Sequence, residues 1–359
     1  MSFFTDLFRS EKKTESVVLI DVSAKSVAGA YAYYVEGELP VVLYMRRLPV
    51  EVREHESREK AMLRALQILG TTLIHEGAPA LLRATGSGSA ATILVSLDAP
   101  WQDTSVRTEY FEQATPFIFT KSLVAGTMKK TDGIAPGKLL ADESIIGTIL
   151  NGYETRTPYG MKVQRAEIVI LTSLIDKHVA DEVVAILRSL YHTKDILPIA
   201  GSSLRYQAIR EAFPHERDAL ILDATGPVTS LALIRKGLFV SILDVLGSET
   251  IDSWVRHVRS ELAELAKQYP LPRTIFLLAR EPETTSLREA LDAANLGSLW
   301  LSDNPPKIVS MLASHTIGLV RQAAASPDLQ ILLMAIFRQH CFSEGKDDDM
   351  HQPPVLTQR

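Results

Sequence analysis

Hydrophobic positions along the chain fall into short apolar runs set off by turn residues, with longer amphipathic stretches between them. Ser16 to Asp21 is an apolar run ending in an acid, the pattern of a buried strand. Val27 to Val35 and Val41 to Leu48 follow, parted by the turn Glu36-Gly37-Glu38, so three strands form a meander. Met62, Leu66, Leu69 and Leu73 recur at helical spacing, and Ala91 to Leu97 is again an apolar strand. Strands, helix and strand in this order predict a mixed α/β plan.

The pattern changes at Pro100-Trp101. Ser105 to Phe111 alternates loosely, Lys121 to Lys130 has a helical face, and Ile145 to Tyr153 and Val163 to Thr172 read as strands. These elements predict a compact strand–helix–strand–strand module inserted into the first domain. The segment Arg156 to Gly160 is the turn-rich link between its last two strands. Asp176 to His192 is an amphipathic helix, Asp195 to Ala200 a strand and Ser202 to Phe213 a helix.

The opening pattern then recurs. Ala219 to Asp223 is an apolar strand ending in Asp, followed by strands Val228 to Ile234 and Leu238 to Val245 around the turn Arg235-Lys236-Gly237. This is an internal structural repeat, with strand-end acids at Asp21 and Asp223. Ile251 to Gln268 is a helix, Thr274 to Ala279 a strand, Ser286 to Ala294 a helix and Leu299 to Leu301 a short strand. Ile308, Met311, Leu312, His315, Leu319 and Val320 predict a further helix, with His315 a hydrogen-bonded core residue on its apolar stripe. Leu329 to His340 closes the pattern as an apolar helix.

Length and charge narrow the classes. The 359 residues fit two or three subdomains, and the net charge of -5 argues against a general nucleic-acid binder. The one cysteine, Cys341, excludes an internal disulfide and points to a reducing compartment. No apolar run approaches the roughly 20 residues that span a bilayer. The start MSFFTDLFRSEKK lacks the features of a signal peptide, so a cytoplasmic location is expected. Phe3, Phe4, Leu7 and Phe8, followed by Arg9, Lys12 and Lys13, suit either a weak interfacial anchor or a helical turn packed on protein. Residues 343–359 have the composition of a disordered tail.

Candidate chemistry lies in the two turns of the repeat. The first is Asp21-Val22-Ser23-Ala24-Lys25-Ser26, and the second Asp223-Ala224-Thr225-Gly226-Pro227-Val228-Thr229-Ser230. Duplicated α/β domains that each open with a hairpin whose first strand ends in Asp resemble the actin-like ATPases. In that fold ATP lies between the domains, hairpin N–H groups meet the phosphates, and the aspartates hold Mg²⁺. Ser23 stands where the first loop resembles Asp-x-Gly-Ser/Thr, Thr225 replaces a glycine of the second, and Pro227 removes an N–H. The strand matching the adenosine motif is followed by Ala279-Arg280-Glu281-Pro282, without the usual glycines. The stretch Leu150 to Met161, the inserted module, and Gly247-Ser248-Glu249-Thr250-Ile251 are similar to the FtsA and PilM proteins over roughly residues 16 to 342. The interval Ile251 to Pro272 is too short for the second-domain lobe of those proteins.

The resemblance implies an α/β, actin-like (ribonuclease H-like) duplicated fold with an inserted module and a reduced second lobe. It divides the chain into an N-terminal segment (1–15), a first actin-like part (16–99), the module (100–174), the rest of the first domain (175–215), the second domain (216–342) and the tail (343–359). It implies a cytosolic scaffold at the inner face of the membrane, serving cell division or type IV pilus assembly, with no catalytic residue. Partners would be proteins of a membrane-associated complex, with self-association open, no nucleic acid, and membrane contact indirect or through residues 3–8. The module would carry the partner interface. The cofactor would be none, or Mg-ATP held by Asp21, Ser23, Lys25, Asp223, Thr225, Gly226 and Gly247, with Asp21 and Asp223 on the metal. The rival expectation is a working ATPase that switches or polymerises on nucleotide. The glycine-rich Thr85 to Ser89 reads as a connector, and Trp101, Trp254 and Trp300 as core or interface anchors.

Overall fold

Residues 12–128, 135–155, 157–245, 247, 250–281, 283–300, 306–324 and 326–344 are described by a computed structural model. The Phe3–Phe8 patch and the tail beyond Glu344 lie outside them. The chain opens with an antiparallel meander, β1 (Thr14–Val22), β2 (Ser26–Val35) and β3 (Val41–Pro49). Helix α1 (Arg58–Thr72) starts where the Ser57 hydroxyl accepts the Lys60 N–H. It runs through a π turn at Leu73–Gly77 into α2 (Ala78–Thr85), which ends at Gly86 with φ +79°. Strand β4 (Thr92–Leu97) returns parallel to β1.

The module follows as β5 (Gln102–Ile118), α3 (Lys121–Met128), β6 (Lys138–Leu150), β7 (Tyr153–Glu154) and β8 (Lys162–Asp176), in one antiparallel sheet ordered β5-β8-β6-β7. Its strands are longer than their apolar cores, because polar positions such as Glu109 and Glu112 extend the pairing out of the hydrophobic region. The module leans on the second domain through Gly147, where an added Cβ would lie 2.6 Å from Leu238.

Helix α4 (Lys177–Tyr191) is capped by Asp176 and ends at His192 in the left-handed region. Strand β9 (Asp195–Ala200) and helix α5 (Gly201–Ala212) complete the first domain. The second sheet repeats the plan with β10 (Ala219–Asp223), β11 (Thr229–Arg235), β12 (Leu238–Val245), α6 (Ile251–Gln268), β13 (Thr274–Leu278), α7 (Glu283–Ala293) and β14 (Lys307–Ser310). Strand β15 (Arg321–Gln322) then joins the first sheet beside β3, and α8 (Leu329–Glu344) ends the described chain.

The two large sheets have matching orders, β3-β2-β1-β4-β9 with β15 at the edge, and β12-β11-β10-β13-β14. Both are buried on two faces, which is why their central strands read as continuous apolar runs. Val17 and Leu19 of β1 face the same central core as Ala219 and Ile221 of β10, and α5 and α8 fill the space between. Val18 and Ile20 point the other way, onto α1 and α4, while Leu220 and Leu222 pack on α6. The interval between β12 and β13 carries α6 as its one helix among the described residues, so the second lobe is reduced as expected.

Two expectations are corrected. The segment from Ile308 to Val320 is not a helix: it is β14, a 3₁₀ turn at Ala313–Thr316, and the approach to β15. Its spacing suits a helical stripe, but β13 needs a parallel neighbour, and the pairing Ile275 to Ile308 through Leu277 to Ser310 overrides the local preference. His315 is therefore exposed, its Nδ1 accepting the Leu312 N–H at 3.0 Å. The strand expected at Leu299 to Leu301 does not form over its described residues, and Leu301 lies outside them. A 3₁₀ turn covers Leu296–Leu299, and Trp300 is buried with its indole N–H donating to the Pro272 carbonyl.

Candidate functional site

The carboxyl ends of β1, β4, β10 and β13 meet between the two sheets, where a doubled α/β fold places its ligands. Three acids stand there. Asp21 is the next-to-last residue of β1, Asp223 ends β10, and Asp98 follows β4 with its N–H donating to the Val22 carbonyl. All three are buried, at 1%, 3% and 1% exposure. Buried carboxylates need compensating charge; Arg205 and Arg47 pair with them, and Arg280 reaches the hydroxyls beside Asp21.

Arg205 of α5 is itself buried and joins the sheets. Its Nη1 donates to Asp98 Oδ1 and its Nε to Asp223 Oδ2, each at 2.6 Å. Arg47 of β3 donates from Nη2 to Asp21 Oδ2 at 2.9 Å, and from Nε to Asp328 Oδ2 at 2.5 Å. Asp328 also caps α8, accepting from Gln330 and Ile331. Arg280, just past β13, crosses the cleft and donates from Nη1 to Ser26 Oγ and from Nη2 to Ser23 Oγ, both at 2.7 Å. The Arg205 and Arg47 guanidinium groups lose solvation on burial, yet their carboxylate partners hold both well above the ordinary arginine range.

The sequence-derived residues divide accordingly. Asp21, Ser23 and Asp223 belong to this network. The Thr225 N–H and hydroxyl both donate to Asp223 Oδ1, at 3.1 and 2.5 Å. Gly226 lines a cavity of about 10 Å³ with Asp98, Arg205 and Asp223, room for about one water. Lys25 stands outside the network, half exposed and 4.0 Å from Glu283 of the facing domain. Gly247 lies beside Pro227 rather than at the carboxylates. Trp101 and Trp254 are buried as anchors, the Trp254 indole donating to Thr229 Oγ1.

Asp98, Arg47, Arg205, Arg280 and Asp328 were not singled out as ligands from sequence. Asp98 had a readable signal, since it follows an apolar strand just as Asp21 and Asp223 close theirs. The arginines had none, because their pairings span anything from 18 to 281 positions and follow no local spacing.

Burial pushes the Asp98 carboxyl up from 3.8 to about 6, with Asp21 and Asp223 adding to the rise and Arg205 opposing it. A raised folded value favours the protonated form. The stability this group contributes is thus present below about pH 4 and lost as pH rises through about 6. Asp98→Asn should remove that slope, seen as a flatter dependence of the urea midpoint between pH 4 and 7.

No family model matches the sequence, and no curated protein matches it. The fold does have solved counterparts. A chain of the PilM-PilN type IV pilus biogenesis complex superposes with a TM-score of 0.51 at 12% identity, covering 91% of this chain and 98% of that one. The chain has the actin-like ATPase fold. A Bacteroides thetaiotaomicron protein of that fold and unknown function has a TM-score of 0.43 at 10% identity, over 83% of this chain and 91% of its own. The ethanolamine utilization protein EutJ of Carboxydothermus hydrogenoformans has 0.40 at 12% identity, over 90% of each chain. At these identities the likeness concerns the actin-like architecture alone. Within it, the arginine network lies at Asp21, Ser23 and Asp223, three of the residues that would hold Mg-ATP if the cleft took any.

Proposed function

We propose that this protein is an actin-fold adaptor that works without nucleotide and recruits protein partners to a membrane-associated assembly, of the type IV pilus or the cell-division kind. The observation that carries the reading is Arg280 on Ser23 and Ser26, with Arg47 on Asp21. These side chains take up the hydroxyls of the first phosphate loop and one oxygen, Oδ2, of its acid, whose Oδ1 has no hydrogen-bond partner among the described residues. The cleft fits Mg-nucleotide poorly. Both oxygens of Asp223 are already accepting, one from Thr225 and one from Arg205. Pro227 offers no N–H to a phosphate.

The adaptor half of the proposal draws on the module. Tyr110, Ile118, Tyr153 and Met161 are exposed there, an aromatic and apolar composition that suits a protein contact. The similarity to a chain of a two-protein pilus complex points the same way. No helix among the described residues is long and apolar enough to cross a membrane. Membrane contact in this proposal runs through a partner or through residues 3–8.

Calorimetry with Mg-ATP on the folded protein tests the reading. The expected result is no binding heat at millimolar nucleotide. Micromolar binding would sink it and favour a nucleotide-dependent switch. Loss of recruitment on deleting residues 100–174 would place the partner surface in the module.

A further inference from the structure

The cleft brings together charges that cannot be neighbours unaided. Asp21 and Asp98 come from the first sheet and Asp223 from the second, all out of water. Without a cation between them, repulsion across a buried, low-dielectric gap would drive the domains apart. Arg205 bridges two of these acids, one from each sheet, with one side chain, and Arg47 answers Asp21. Its planar fork presents Nη1 to the first domain's Asp98 and Nε to the second domain's Asp223, at bond lengths typical of strong charge-assisted contacts.

The helix that carries Arg205 is set for this task. Gly201 lies one turn before it, on the same face of α5. A Cβ at Gly201 would lie 2.0 Å from Asp98 Oδ1 and 2.9 Å from Arg205 Nη1. Only a residue without a side chain lets α5 come so near the acid, and that approach aims Arg205 between the sheets. Arg280 makes the second crossing, from the end of β13 to the hydroxyls of Ser23 and Ser26.

We propose that Arg205 and Arg280 form a permanent interdomain clamp, in which guanidinium groups make the bridge that an actin-like cleft would otherwise draw from a bound cation and nucleotide. The inference rests on the nucleotide-free reading above and adds a mechanism to it. The two domains keep one relative orientation, so any surface that spans them is displayed constantly.

The test is an interdomain distance measurement by pulsed electron spin resonance. Spin labels are placed on the full chain at Glu54→Cys and Glu289→Cys, both exposed, in a Cys341→Ser background. The parent should give one narrow distribution that Mg-ATP does not shift. Arg280→Ala should broaden it towards longer distances. Arg205→Met can unfold the chain by leaving two buried acids uncompensated. The triple variant Asp98→Asn, Arg205→Met, Asp223→Asn removes the charges together and should fold with a broad, longer distribution. A distribution as narrow as the parent's in both Arg280→Ala and the triple variant overturns the clamp. Calorimetric binding of Mg-ATP by the parent would instead overturn the nucleotide-free reading, so the two failures are distinguishable.

Discussion

Gly201→Ala should cost the fold about 3–5 kcal/mol in urea unfolding, although alanine is the better helix former. Helix propensity alone favours the substitution by roughly 1 kcal/mol. Packing decides the sign. The new methyl would meet Asp98 Oδ1 at 2.0 Å, Ser96 Oγ at 2.7 Å and Arg205 Nη1 at 2.9 Å, none of which a real Cβ tolerates. Ser96 can rotate its hydroxyl away. Asp98 and Arg205 cannot separate from the methyl without breaking a 2.6 Å buried ion pair. Gly126→Ala is the control: it too is helical, nothing lies within 4 Å of its added Cβ, and it should stabilise by up to about 1 kcal/mol. If both variants shift the urea midpoint alike, the close approach of α5 to Asp98 is not a real constraint.

The duplicated plan was legible because both sheets are covered on two faces. That burial makes Ser16 to Asp21 and Ala219 to Asp223 continuous apolar runs, and each ends at the cleft in an acid. Helices α4 and α6 were legible for the opposite reason, since each buries only one stripe. The segment 308–320 was misread because its apolar spacing serves two periods, and only the open edge of β13 settles which one wins. The module strands were read short because their ends pair without burying side chains.

The site was half legible. Local motifs marked Asp21, Ser23, Asp223, Thr225 and Gly226, which follow strands in both copies of the repeat. What meets them lies beyond the reach of any local motif, 26 positions from Asp21 to Arg47, 18 from Asp223 to Arg205 and 257 from Ser23 to Arg280. Contacts of that separation leave no periodic trace. The missing glycine at Arg280 was visible as a departure from the family pattern, but its meaning depends on where the side chain reaches.

Arg205→Met should be the most damaging single substitution in the cleft, lowering stability by about 3–5 kcal/mol at pH 7 by urea titration. The loss comes less from the bonds removed than from what remains. Asp98 and Asp223, at 1% and 3% exposure, would face each other without a cation. Arg47→Met should cost less, because that side chain is 25% exposed and water can partly replace it at Asp328, which is 17% exposed. The discriminating comparison is again the triple variant Asp98→Asn, Arg205→Met, Asp223→Asn. Replacing a whole buried ion group by neutral residues of similar shape is often neutral, so this variant should recover most of the loss. Recovery would mean that Arg205 answers the charge of its partners. A triple variant as unstable as Arg205→Met would mean that its hydrocarbon packing and hydrogen bonds dominate, and that charge balance does not govern the cleft.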